Sequence, residues 1–299
     1  MGSIDIIDDV QNLRASVIAS IEGELAKYGS IGRRGGVPGI FRKFSEMRHA
    51  GVFDKEIMEA VLEADINVIG LTQCFNILRA QNPSAVREII AEKAIAKAVS
   101  MAHSLDCVAI ANIINSLPKL GVKKCPRELM ERAMAVSDHM YGKEIAAILS
   151  ALPKLGEGKC PKELIERAMA VSGDIGGQTI ANIINSLPKL GVKKCPRELM
   201  ERAIAVSGNM NSQAIANIIS ALLRLGEKKC PEWLIKRLLD EKIIIGRQFD
   251  QGVYERFVGD LRRFDNFDEI KSALAGSSSQ VVRLLYEGLC VPKSQLREN

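Results

Sequence analysis

Residues 111–137 read ANIINSLPKLGVKKCPRELMERAMAVS, and residues 181–207 repeat them with a single change, Met134 to Ile204. Looser copies lie between and after these two, so Leu-Gly pairs fall at Leu120-Gly121, Leu155-Gly156, Leu190-Gly191 and Leu225-Gly226. Cys-Pro pairs at Cys125-Pro126, Cys160-Pro161, Cys195-Pro196 and Cys230-Pro231 keep the same interval of 35 residues. A fixed period of this length, held without a slip through four copies, is the signature of a solenoid.

Each unit reads as two helices. Ile110, Ile113, Ile114 and Leu117 recur at helical spacing, with Asn112, Asn115, Ser116 and Lys119 on the other side, which predicts an amphipathic helix A. Gly121 supplies the left-handed cap that ends it. Lys123 and Lys124 fill the turn, and Pro126 opens helix B. Glu128 suits the positive end of that helix, and Leu129, Met130, Ala133, Met134 and Val136 form its expected buried stripe. Pro118, Pro153 and Pro188 stand inside helix A and should bend it. Leu223 replaces them in the fourth copy, so a straighter helix is expected there. One such pair cannot bury both stripes by itself, so neighbouring units must share a core.

The expected fold is all-α, a right-handed α-solenoid of helix-turn-helix repeats with a 35-residue period and atypical helical caps. Residues 1–28 read as an N-terminal helix, 29–38 as a glycine-rich linker and 39–104 as degenerate capping repeats. Residues 105–241 hold the four clear repeats, 242–290 a C-terminal helical cap, and 291–299 a tail. The linker lacks the Gly-Lys-Ser/Thr ending of a phosphate-binding loop.

Seven cysteines raise the question of disulfides or zinc. Four of them occur once per repeat, and stacked helices lie roughly 8–10 Å apart, too far for two Cα atoms to be bridged. No Cys-x-x-Cys occurs, and His49, His103 and His139 are not at ligand spacing. The cysteines are therefore expected as small core residues at the start of helix B, in a chain without metal or other cofactor. That usage fits a reducing compartment, whether a bacterial cytoplasm or a host-cell interior reached without a cleaved signal. The N-terminus MGSIDIIDDV is acidic, unlike a secretory signal, and no apolar run reaches the roughly 18 residues of a membrane span.

The segment NSQAIANIISALLRLG, Asn211 to Gly226, followed by Pro231-Glu232-Trp233-Leu234, resembles the octotricopeptide repeat family. The likeness covers residues 106–241. It implies an RNA-binding repeat protein, of a kind also found in intracellular bacterial pathogens, including secreted effectors. Here the first-helix Trp position of that family is taken by Asn115, Ser150, Asn185 and Ser220.

Superposing the copies turns each repeat position into a file of side chains. Lys119, Lys154, Lys189 and Arg224 form one basic file, and Lys124, Lys159, Lys194 and Lys229 another. Such files can follow successive phosphates of a single strand, or simply keep the turns solvated. Asn112, Ala147, Asn182 and Asn217, with Asn115, Ser150, Asn185 and Ser220 one turn on, are the candidate base readers, because repeat proteins that read one base per unit use two or three such side chains. The recurring pairs Glu128/Glu131, Glu163/Glu166 and Glu198/Glu201 fit the helix dipole and pairing with Arg127 and Arg132 better than catalysis, and no enzyme is expected. The expected function is sequence-selective binding of single-stranded RNA. The alternative is a protein-interaction scaffold, or a secreted effector, gripping its partner through the B–A loops at 138–142, 173–177 and 208–211, which differ from copy to copy.

Overall fold

The computed structural model describes residues 66–239, 251–277 and 280–291, with Ala19, Met58, Glu59 and Leu62 as isolated positions. The helix expected over 1–28, the linker at 29–38, the first degenerate copy at 39–64 and the tail from 292 lie outside the described residues. What is described is helical, with no β-strand element among those residues. The helices are α1 Val68–Leu78, α2 Ala85–Ser100, α3 Cys107–Ser116, α4 Arg127–Ala135, α5 Gly142–Ala151, α6 Lys162–Ala170, α7 Gly177–Ser186, α8 Arg197–Ala205, α9 Ser212–Arg224, α10 Glu232–Leu238, α11 Gln251–Leu261, α12 Phe267–Ala275 and α13 Gln280–Cys290. None is long and apolar enough to cross a membrane.

The A helices α3 and α9 begin where a side chain satisfies an orphan N–H group. Asp106 accepts from Ala109 N–H at 2.8 Å and Asn211 from Ala214 N–H at 2.9 Å. Ile110, Ile113, Ile114 and Leu117 are fully buried, and each such side chain contributes about 1.5–3 kcal/mol when removed from water.

The proline ends the α-helix rather than bending it from inside. α3 stops at Ser116 and the chain tightens into a 3-10 turn over Leu117–Leu120, with Pro118 in its first turn, where a missing N–H costs least. In the fourth copy Leu223 can donate, and α9 runs 13 residues against the 10 of α3. Gly121 follows at φ 84°, and Val122 N–H returns to the Leu117 carbonyl at 3.1 Å, a Schellman-type close. Helix B starts one residue after its proline, which is the N-cap.

Three expectations about individual side chains change. Ser116 is buried, because its hydroxyl bonds back to the Asn112 carbonyl at 2.7 Å and no longer needs water. On helix B the buried stripe is Leu129 and Ala133, with Val136 at its C-cap, while Met130 and Met134 are half-buried. Arg132 does not pair with glutamate. Its Nε donates to the Leu105 carbonyl at 2.7 Å, as Arg202 Nε does to the Ile175 carbonyl at 2.6 Å, tying helix B to the entrance of its own helix A. Glu131 pairs with Arg127 at 2.6 Å instead.

The described residues divide between two compact units. The first, up to Met140 with Lys154–Gly156, packs α1 on α3 and α2 on α4. The second, Tyr141–Pro153 with the residues from Glu157 onward, packs α5, α7, α9 and α11 in succession. Its other layer sets α6 on α8 and α10 on α12, and α13 covers α11 and α12. Like-on-like stacking of A and B helices is the packing of a helical-repeat solenoid. In the second unit Asn266 closes the turn of repeat four, its side chain accepting from Cys230 N–H at 2.8 Å and donating to the Cys230 carbonyl at 3.1 Å. Arg262 caps the carbonyl end of α13 through Gly288 and Leu289, at 2.9 and 3.2 Å.

Candidate nucleic-acid interface

In the second unit, stacking of A helices brings both kinds of expected contact residue to one surface. Asn185, Lys189, Asn217, Ser220 and Arg224 line a single recess, joined by Gln213 from α9 and by Arg256, Phe257 and Asp260 from α11. Lys189 and Arg224, from the first basic file, are exposed, while Asn182, Asn185, Asn217 and Ser220 are half-buried. Cation and amide thus share a face, as a strand with phosphates on one side and bases on the other requires.

The amides are already ordered by one another. Asn217 donates to Asn182 Oδ1 across the repeat at 3.3 Å, Gln178 donates to the same oxygen at 3.1 Å, and Gln213 donates to Asn217 Oδ1 at 3.0 Å. Ala147 breaks this run on α5, where Ser150 lies 3.4 Å from the buried Ser186 hydroxyl. Lys159, Lys194 and Lys229 of the second basic file are exposed in the A–B turns and do not line the recess.

In the first unit Asn112 lines a separate recess of about 220 Å³ with Gln73 and Asn76 of α1. Asn115 is half-buried, while Lys119, Lys124 and Lys154 are exposed. Gln73, Asn76 and Arg256 escape a strict 35-residue alignment. Matching buried positions instead, Leu71 and Cys74 to Ile110 and Ile113, and Ile218 and Leu222 to Phe257 and Leu261, shifts both flanking units by four residues. Gln73 then falls in the file of Asn112, Asn76 in that of Asn115, and Arg256 in that of Asn217. The apolar pattern of α1 and α11 carried this signal.

The repeat cysteines are core or near-core. Cys125 and Cys230 are buried, Cys160 and Cys195 half-buried, and all are free thiols. Burial pushes Cys160 up to about 11 and Cys230 up to about 12, and burial with the Glu227 charge lifts Cys195 to about 12. Such thiols are poor nucleophiles and poor metal ligands. The B–A loops also contribute to the core, because Met140, Ile175 and Met210 are buried while Tyr141 beside them is 67% exposed.

A family model described as RNA-editing substrate-binding complex 6 protein matches residues 65–287. No curated protein matches the chain.

Proposed function

The chain belongs to the RNA-editing substrate-binding complex 6 protein family, and on that footing we propose that it binds single-stranded RNA along the exposed side of its A helices. The observation that carries this reading is the recess of the second unit, where Lys189, Arg224 and Arg256 stand beside Asn185, Gln213, Asn217 and Ser220. The cations hold phosphates and fix the strand, and the amides and hydroxyl face the base edges. The likeness of Asn211–Gly226 to octotricopeptide units supports the same reading. Selectivity rests on the files Asn112, Ala147, Asn182, Asn217 and Asn115, Ser150, Asn185, Ser220.

The test is fluorescence anisotropy with short single-stranded RNA and with its duplex at rising salt. Three phosphate contacts predict a log–log slope of about −2.1, at roughly 0.7 per contact, and weaker binding of the duplex. A slope near zero, or equal binding of both forms, overturns the reading.

The family description also names a complex, and one feature favours a protein contact elsewhere on the second unit. Exposed Tyr141, with Val171, Ile175 and Thr179, lines a recess of about 350 Å³ on the B–A loop side. Tyr141→Ser should weaken such a contact and leave RNA affinity unchanged.

A further inference from the structure

We infer that the recess between α1 and α3 is a single-base subsite selective for a purine within an RNA strand, an inference that rests on the RNA-binding reading above. Its argument starts from one repeat position. In repeats three and four the second residue of helix A is Gln178 or Gln213, and each donates to the asparagine one turn on, Asn182 or Asn217. In α3 and α1 the same position holds Val108 and Ile69. These cannot donate, so the amides of Asn112 and Gln73 lose the partner their counterparts have.

Among the described residues no protein group bonds the side-chain amides of Gln73, Asn76 or Asn112, although all three are half-buried. Val108 and Ile69 are large apolar side chains left 49% and 36% exposed, and both line the recess with those amides. Two exposed aliphatic side chains and three unpaired amides lining one recess suit a flat heterocycle whose faces are apolar and whose edges are polar. At about 220 Å³ the space is below the roughly 300–1,000 Å³ of clefts for larger ligands. Asp106, at the rim, is engaged in capping α3 through Ala109 N–H at 2.8 Å.

The choice of base follows from counting edges. An amide offers one donor beside one acceptor, which adenine complements twice, through N6–H with N1 and through N6–H with N7. Guanine does so through O6 with N1–H and through N2–H with N3, whereas cytosine presents one such edge, N4–H with N3, and the two edges of uracil share a single N3–H. With three amides around one slot, a purine can satisfy two of them at once and a pyrimidine only one.

The experiment compares the full chain with Asn76→Ala and Val108→Asp, measuring affinity for oligo(A), oligo(C) and oligo(U) of equal length, with adenosine monophosphate as competitor in a separate arm. Far-UV circular dichroism verifies folding, and both positions are accessible enough for the substitutions to be accommodated. Asn76→Ala should lower affinity for oligo(A) by roughly 5- to 150-fold, the discrimination carried by one bidentate pair, and leave oligo(U) within about twofold. The mononucleotide should compete only weakly, since it lacks the neighbouring phosphate contacts. If the native chain binds no RNA, the broader reading fails. If it binds RNA but both variants lose affinity equally for all three polymers, or lose none, the RNA reading stands and the purine subsite is refuted. Competition by the mononucleotide as strong as by oligo(A) would also refute a strand-borne base, marking a free-nucleotide site instead.

Discussion

Gly121, Gly156 and Gly191 occupy the same position in successive repeats, at φ 84°, 76° and 75°, yet they meet different neighbours. A Cβ at Gly121 would touch nothing within 4 Å, one at Gly156 would lie 3.3 Å from the Lys123 carbonyl oxygen, and one at Gly191 would lie 2.9 Å from that of Gly158. Alanine pays the left-handed penalty of about 1–2 kcal/mol at all three. At Gly191 it must also push two stacked turns apart, and overpacking of this kind adds about 1–3 kcal/mol. Gly121→Ala should therefore cost about 1–2 kcal/mol, Gly191→Ala about 2–5, and Gly156→Ala a value between. With a urea m-value of about 2–3 kcal/mol/M, the midpoints of Gly121→Ala and Gly191→Ala should differ by roughly 0.3–1.5 M when unfolding is followed by circular dichroism. The two glycines lie in the same sequence, NSLPKLGVKKCP, so local propensity cancels. Equal midpoints would refute the claim that carbonyl approach between repeats, and not only the cap, requires glycine.

On the proposed reading, the phosphate and base roles separate in the second unit. Arg224→Gln should make the salt slope shallower by about 0.7 while leaving base preference unchanged, and Asn217→Ala should relax preference at one position with the slope intact, both read by anisotropy. The thiols give a pH dependence. Cys160, Cys195 and Cys230 are held above their ordinary value of 9.0 in the fold, so the folded state keeps protons that the unfolded state releases. Their stabilising contribution is complete below pH 9.0 and falls away as pH rises towards 11 to 12. Urea midpoints should fall over that range, and less so in a chain with the three cysteines changed to alanine.

What could be read from the sequence was whatever repeats in register. The Leu-Gly closes and the helix pairs follow from local chemistry, and the structure has them, while the prolines expected to bend helix A end it instead, so that the copy with Leu223 differs in length. Less legible were features set by a neighbour's position. Ser116 looks polar on a helical wheel, but its i−4 bond to the Asn112 carbonyl takes it inside. Arg132 looks like a partner for glutamate, but its acceptor is a carbonyl 27 residues earlier. The asparagine and serine files fall on helix A, half-buried at Asn182, Asn185, Asn217 and Ser220, with Lys189 and Arg224 exposed beside them. Arg256, Gln73 and Asn76 were missed because the flanking units step by four more residues than the repeats, so a fixed period hides them and only the apolar pattern finds them.

The chain of amides linking Gln178, Asn182, Asn217 and Gln213 has a consequence for how tightly any ligand can be held there. A base edge arriving at this surface must first displace an amide from another amide, so each new bond replaces an old one of similar strength. A matching edge then restores what was broken, and a mismatched one leaves a half-buried group empty-handed. Such a surface gains little grip from correct letters but rejects wrong ones, so the grip has to come from charge and the fidelity from competition.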